Sequence, residues 1–400
     1  MLVLLTLPSL ALADDRVLTL DNALRAAQEN NPELAAARWG IDIAEGERRQ
    51  AGVLPNPELS WEVEDTRKSS QTTTVSVSQM FELGGKRGAR LSVAGRDAEL
   101  AALELERQGN ALRAEVMGAF QAAARAQEGL QLAEQSLRLS ERGLQVVQGR
   151  VKAGSASPVE ATRAQVQVSE VRLEKLRAEQ AQTVAYQQLA AATGAPMVQF
   201  DKVASASSQA SDLPGRSQLL DRLEHTPDMR LARVQIGQRE AALDLARTQR
   251  IPDLTVSVGS QYSETDRERI NVVGVSLPIP LFDRNQGNVL AAARRADQAR
   301  DQRNGAELRL RTEVIQALAQ WATSAQEVQA FDRSILPSAQ QALDAATRGF
   351  ERGKFAFLDV LDAQRTLVAA RLQYLEAQAQ RSEAQVRLER IFGDLSLASR

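Results

Sequence analysis

The sequence predicts a mainly α-helical chain with a small β part: long antiparallel coiled-coil helices and four β-strands, laid out as a tandem duplication. Three observations carry this. The 400 residues are 43% hydrophobic but only 4% aromatic, an Ala-, Gln-, Glu-, Arg- and Leu-rich mix that suits long helices. Val116, Ala123, Leu130, Leu137, Leu144 and Val151 fall seven apart, the spacing of a coiled-coil seam. Two pairs of short segments alternate apolar and polar residues, the period of half-buried strands.

Composition also excludes. Lys+Arg 49 against Asp+Glu 51 gives a formal charge of −2, with no basic excess for a nucleic-acid backbone. There is no cysteine, so disulfides, thiolate metal sites and cysteine-linked lipid are out. The single histidine, His225, lies just before a second-half helix whose N-cap is Thr226; alone it makes neither a metal centre nor a hydrolase triad. The expectation is no enzyme, no cofactor and no fixed metal site.

In chain order, the apolar run Leu2 to Leu12 closes on Ala11-Leu12-Ala13, a secretory signal pattern that predicts removal of residues 1–13. No later run approaches the ~20 apolar residues of a membrane-spanning helix, so any crossing falls to β-strands. Paired motifs then mark two repeats. Asn31-Pro32-Glu33-Leu34 returns as Thr226-Pro227-Asp228-Met229, Pro57-Glu58-Leu59-Ser60 as Pro252-Asp253-Leu254-Thr255, Gly154 as Gly353, and Gly194 as Gly393. The repeats are predicted at 14–202 and 216–400, joined by a Ser/Ala-rich linker at 203–215.

Each half reads helix, two strands, very long helix, turn, long helix. Glu33 to Leu54 is a helix stopped by Pro55 and Pro57. Strands follow at Pro57 to Asp65 and Thr72 to Phe81; the second pair starts at Leu254 and continues through Val273, Val275, Leu277 and Ile279. The helix from Arg87 to Val151 has a length on the order of 100 Å at 1.5 Å per residue. Its second-half counterpart carries Val314, Trp321, Val328, Ile335 and Ala342, also seven apart, with a break or kink expected at Pro337. Return helices run from Ser157 to Ala192 and from Phe357 to Ile391.

Strands of nine or ten residues have membrane-spanning length, but four cannot close a barrel, and lipid forbids an open sheet edge. Three chains supply twelve strands and a ring of long helices. The alternative is a soluble periplasmic coiled-coil scaffold carrying two small hairpins.

The duplicated plan resembles the TolC family of outer-membrane efflux proteins across the whole mature chain. Its most specific segment is 335–377, ILPSAQQALDAATRGFERGKFAFLDVLDAQRTLVAARLQYLEA. Within the family, VLPNPELSWEVED at 53–65 and VSVSQMFELGGKRGARLSVA at 75–94 resemble the CzcC branch, which serves cobalt–zinc–cadmium resistance. The resemblance implies a homotrimer with a 12-stranded transmembrane β-barrel in outer-membrane lipid, continued as a periplasmic α-barrel. It further implies two partners, a periplasmic membrane-fusion adaptor and an inner-membrane RND antiporter, and a passive conduit for heavy-metal cations. Conduits for drugs or for type I secreted proteins share the plan.

Three sets of site residues follow. Asp359 and Asp362 share a helix face, with Glu160 at the matching place in the first half; the resemblance implies a periplasmic gate of carboxylate rings. Lys152, Gly154, Ser155, Arg352, Gly353 and Lys354 occupy the two helix-to-helix turns, expected to meet the adaptor. Trp61, Phe81, Tyr262 and Phe282 form an aromatic belt near the strand ends, with Lys86 and Arg87 of GGKRG at the headgroups. That motif lacks the upstream glycine and the Ser/Thr of a phosphate loop.

Overall fold

The computed structural model describes residues 16–67, 69–204 and 213–395. The expected signal peptide at 1–13 and linker residues 205–212 lie outside them. The described chain is mostly helical and divides into two compact units: Met1–Ala35 with Gln108–Leu223 and Leu310–Arg400, and Ala36–Arg107 with Glu224–Arg309. Each unit draws on both halves of the chain.

The second unit contains the sheet. Strands β2 (Glu58–Glu64), β3 (Thr72–Phe81), β5 (Leu254–Ser263) and β6 (Glu268–Ser276) pair antiparallel in the order β2-β3-β5-β6. Their registers line up one apolar row, Leu59–Val77–Val258–Val273, with Trp61–Val75 and Val256–Val275 flanking it. Every residue of the central row is 49% to 72% exposed. The opposite face carries Ser60, Ser76, Glu62, Thr74 and Gln261 at paired positions, with a 2.7 Å hydrogen bond between the two serines. The expected strand through Leu277 and Ile279 stops short, at Ser276. Pro278 and Pro280 have no N–H to give a ladder, so the apolar side chains continue beyond the sheet without strand pairing.

Helix α2 (Pro32–Ala51) also ends before the expected Leu54. Pro55 disfavours helical backbone at Leu54, and arginines from the start of α3 (Lys86–Lys152) take the freed carbonyls. Arg87 Nε donates to Gly52 O at 2.7 Å and Arg90 Nε to Ala51 O at 3.2 Å. In the same unit, α6 (Pro227–Thr248) starts as expected at Thr226, whose hydroxyl accepts the Met229 N–H.

The first unit holds the remainder of α3, the return helix α4 (Pro158–Ala192), α8 (Leu336–Glu351) and α9 (Phe357–Phe392). Val116 and Ala123 are buried on the predicted seam of α3, with Leu130, Leu137, Leu144 and Val151 half-buried and Val147, between the last two, buried. The seam in the second half behaves differently. Val314 and Val328 are buried, but Ile335 and Ala342 are exposed; Leu343 and Phe350 are buried instead, with Leu336 partly buried beside them. The cause is a π-helical turn at Phe331–Ile335, between α7 (Gln286–Ala330) and α8. One residue is inserted there, so the count runs 314, 321, 328, then 336, 343, 350. The break expected at Pro337 is therefore a register shift: with no N–H and a bulky ring, the proline cannot continue an ordinary α-turn. Phe331 packs edge-on against Tyr374, with ring centroids 6.2 Å apart. Burial and then Asp332 push the Tyr374 hydroxyl up to about 12.

Two helices and a pair of short strands were not legible in the sequence. Helix α1 (Leu20–Asn30) precedes α2, and α5 (Arg216–Arg222) precedes α6. A parallel pair, β1 (Val17–Leu18) with β4 (Lys202–Val203), converts the first residue of the expected linker into a 2%-exposed strand residue. Gln127 of α3 fixes it, accepting the Val203 N–H at 3.1 Å and donating to Val203 O at 3.2 Å. Asn31 makes a second junction: its Oδ1 caps α2 through the Glu33 and Leu34 N–H groups, and its Nδ2 donates to Ala192 O.

Gly194 ends α4 with φ +81, and a Cβ there would stand 2.5 Å from Asn30 O; Gly154 has φ +72 and open space. Gly154→Ala is expected to cost only the left-handed backbone, about 1–2 kcal/mol, and Gly194→Ala clearly more. Thermal melting of both variants in detergent checks this; equal losses would mean the Asn30 carbonyl moves aside freely.

Candidate functional site

Three regions hold the predicted site residues. The first is the pair of helix-to-helix turns in the first unit. Both close by the same hydrogen-bond pattern: Ser155 N donates to Arg150 O (2.9 Å) and Gly154 N to Val151 O (3.0 Å), while Lys354 N donates to Gly349 O (2.8 Å) and Gly353 N to Phe350 O (2.9 Å). This ending needs positive φ at the glycine, observed as +72 and +70. The turns come together through a shared core in which Val147, Ala164, Phe350, Phe357 and Leu361 are buried. The Arg150 guanidinium sits 4.9 Å from the centre of the Phe350 ring, joining the first turn to the second. Lys152, Ser155, Arg352 and Lys354 are all exposed, so the rim carries positive charge.

Asp359 and Glu160 stand in the first turns of the return helices, and Asp362 in the second turn of α9. Asp359 Oδ2 accepts the Ala356 N–H at 2.9 Å, so this carboxylate caps α9, where Ala356 has no side-chain acceptor of its own. Ser157 does the equivalent work for α4 by accepting the Val159 N–H, which leaves Glu160 without that task. Asp359 and Asp362 are exposed and Glu160 is half-buried.

Sequence reasoning missed several tip residues. Phe355, 47% exposed, lies so close over Gly349 that a Cβ there would meet its ring at 2.1 Å. Gln364 is buried and donates to Ser140 Oγ at 3.0 Å, tying α9 to α3. Arg365 donates to Gln167 Oε1 at 2.8 Å, tying α9 to α4. Nothing in the spacing distinguishes these from solvated helix residues; a glycine four before another glycine was the one available signal for Phe355.

The third region is the strand-to-helix junction. Trp61, Phe81 and Phe282 are exposed, at 70%, 50% and 91%, and Tyr262 is half-buried. Lys86 differs from its expected free position: its ammonium binds Asp253 Oδ1 at 2.7 Å, with only 12% of the side chain exposed. Asp253 also accepts the Leu83 N–H at 3.1 Å. Arg90 pairs with Glu82, holding that carboxyl below its usual range. Gly84 and Gly85 both have positive φ, and Ile251 leaves no room for a Cβ at Gly84, so GGKRG is a fixed turn. At the far end of the sheet, Asp65 collects Arg67 and the Ser70 hydroxyl, which lower its pKa strongly.

Among the described residues, no helix is long and apolar enough to cross a membrane, and no group of three or more His, Cys, Asp or Glu is placed to hold a metal ion. His225 is exposed at the end of a short 3-10 turn.

Asp253→Ala leaves the half-buried Lys86 ammonium without its carboxylate and is expected to cost about 1–2 kcal/mol, whereas Lys86→Met combined with Asp253→Leu costs less because no charge is left unpaired. Denaturation of the three variants in detergent measures this; a double variant as damaged as Asp253→Ala would show that the pair is not the source of the loss.

The family model described as outer membrane efflux protein matches residues 23–195 and 219–394. The chain is 41% identical over 379 residues to the cobalt-zinc-cadmium resistance protein CzcC of Cupriavidus metallidurans, covering 94% of this chain and 90% of that protein. It is 30% identical to the nickel-cobalt-cadmium resistance protein NccC of Alcaligenes xylosoxydans xylosoxydans, over 76% of this chain and 68% of the relative. A crystal structure of a membrane protein from Pseudomonas aeruginosa superposes with a TM-score of 0.81 at 23% identity, over 95% of this chain and 91% of the other. Members of the matched family are passive channels and not enzymes. A duplicated run of helices, one four-stranded sheet with an exposed apolar face, and two matching matches to one family model lead to one conclusion: the chain belongs to the outer membrane efflux protein family.

Proposed function

We propose that the protein is the outer-membrane channel of a tripartite efflux system that exports divalent heavy-metal cations. One observation carries the membrane part. The sheet exposes the apolar row Leu59–Val77–Val258–Val273, and its two rim strands have no partner on their outer sides among the described residues. Water disfavours such a row and lipid disfavours such rims. Both are relieved when three copies share one 12-stranded barrel. Exposed apolar side chains on the helices point the same way. Val159, Val166 and Leu173 lie seven apart on α4, and Trp39 and Ile43 lie one turn apart on α2. A neighbouring copy would cover them.

The cargo is inferred from the relatives. A passive tunnel reads little of what passes, so the names of CzcC and NccC support cobalt, zinc, nickel or cadmium as the metals. Energy would come from an inner-membrane RND antiporter, reached through a periplasmic adaptor that docks on the basic tips at Lys152, Arg352 and Lys354. Expression of the mature chain with its pump and adaptor in a metal-sensitive host tests this. Resistance to zinc, cobalt and cadmium is expected, with a trimer in detergent by sedimentation. A stable monomer without detergent, or no change in resistance, overturns the reading.

The gate belongs to the same proposal. Three copies of Asp359 and Asp362 would set six carboxylates around the periplasmic mouth, favouring cations and resisting anions. Asp359→Ala with Asp362→Ala is expected to weaken cation preference and divalent block in single-channel recordings. The loss of the Ala356 cap adds a cost of about 1 kcal/mol, so Asp362→Ala alone separates pore charge from capping. Unchanged selectivity in both variants would mean these aspartates face outward.

A further inference from the structure

Within the chain the sheet rows run straight across: Leu59 faces Val77, Val77 faces Val258, and Val258 faces Val273. On the trimeric barrel proposed above, β6 of one copy must pair with β2 of the next. We infer the register of that joint: Trp61 lies opposite Val275 of the neighbouring copy and Val63 opposite its Val273, a stagger of four residues per copy.

The first constraint is parity. Residues directly opposite share a face, and a slip by one residue sends every side chain to the wrong side. The apolar face of β2 is Leu59, Trp61 and Val63, and that of β6 is Val273 and Val275, so only even staggers keep the faces continuous.

The second is closure. Strands in such barrels tilt by about 35–45°. With strands ~4.8 Å apart and a rise of ~3.3 Å per residue, twelve of them require a total stagger of about 12–17 residues. Shared among three identical copies, that is about four to six residues each. The rows inside the chain run straight across and contribute none of it, so the joint between copies must supply it.

The third is ladder length. A stagger of four in one sense sets residues 60–64 against 272–276. The same stagger in the opposite sense leaves only 58–60 against 268–270, and a stagger of six leaves only 62–64 against 274–276. Further extension is barred on both rims at the same end, by Pro55 and Pro57 before β2 and by Pro278 and Pro280 after β6.

The fourth is side-chain chemistry. At zero stagger Glu64 would oppose Glu268, a like-charge pair. At four, Glu62 meets Gly274, Ser60 meets Ser276, and the other face matches Trp61 with Val275 and Val63 with Val273.

The chain has no cysteine, so paired cysteine variants report one contact each. Trp61→Cys is combined in turn with Val273→Cys, Val275→Cys and Leu277→Cys, and Val63→Cys with Asn271→Cys, Val273→Cys and Val275→Cys. The full chain is oxidised in membranes and read as covalent dimers and trimers on non-reducing gels. The expected result is cross-linking several-fold faster for Trp61→Cys/Val275→Cys and Val63→Cys/Val273→Cys than for their alternatives. Fastest linkage at a different partner, or none in a protein that sediments as a trimer, overturns the register alone. No linkage in a protein that sediments as a monomer overturns the trimeric barrel itself.

Discussion

The open rims of the sheet constrain everything else. A strand edge presents N–H and C=O groups that water satisfies and lipid does not, each at a cost of several kcal/mol in hydrocarbon. The chain meets this with alternation and not with bulk apolarity. One face of the sheet carries valines, Leu59 and Trp61; the other is mostly serines, threonines and glutamates, with Ile270 and Val272 among them on the last strand. In lipid such a sheet needs its edges closed, and under the proposed function association with other copies closes them. The 4% aromatic content fits the same logic, because closely packed long helices use alanine where globular cores use rings.

Much of this was legible because the signals were local and periodic. The strand β3 matched its prediction to the residue, and Gly154 and Gly353 fall at the two helix-to-helix turns as expected, since alternation and the demands of a helix ending are read from a few neighbours. The N-cap at Thr226 belongs to the same class. What escaped depends on residues distant in sequence. The β1–β4 pair joins Val17 to Lys202, and it is held by Gln127, whose amide looks like any exposed helix glutamine in the sequence. Lys86 escaped for the same reason: its partner Asp253 lies 167 residues away, in the other half.

The candidate site was half legible. The glycines and basic residues of the tips followed from turn chemistry. The core that joins the tips did not, because Phe350, Phe357 and Arg150 belong to separate segments. Asp359 shows how one residue can answer to two demands. Its position three residues into α9 makes it a cap whatever else it does, and the first half solves the same problem with Ser157. The two halves thus share a backbone plan while differing in which side chain is left free.

The π-turn at Phe331–Ile335 works as a phase shifter in one long helix. Each residue of an α-helix advances the side chains by about 100°, so one inserted residue rotates all of α8 relative to the pattern carried in from α7. Residues before the turn and residues after it then obey separate clocks. Substitutions that retune the packing of Leu343 and Phe350 against α9 need not stay in step with Val314 and Val328. A duplicated chain whose halves began with one shared periodicity gains, in this half alone, a place where the two ends of a helix can diverge independently.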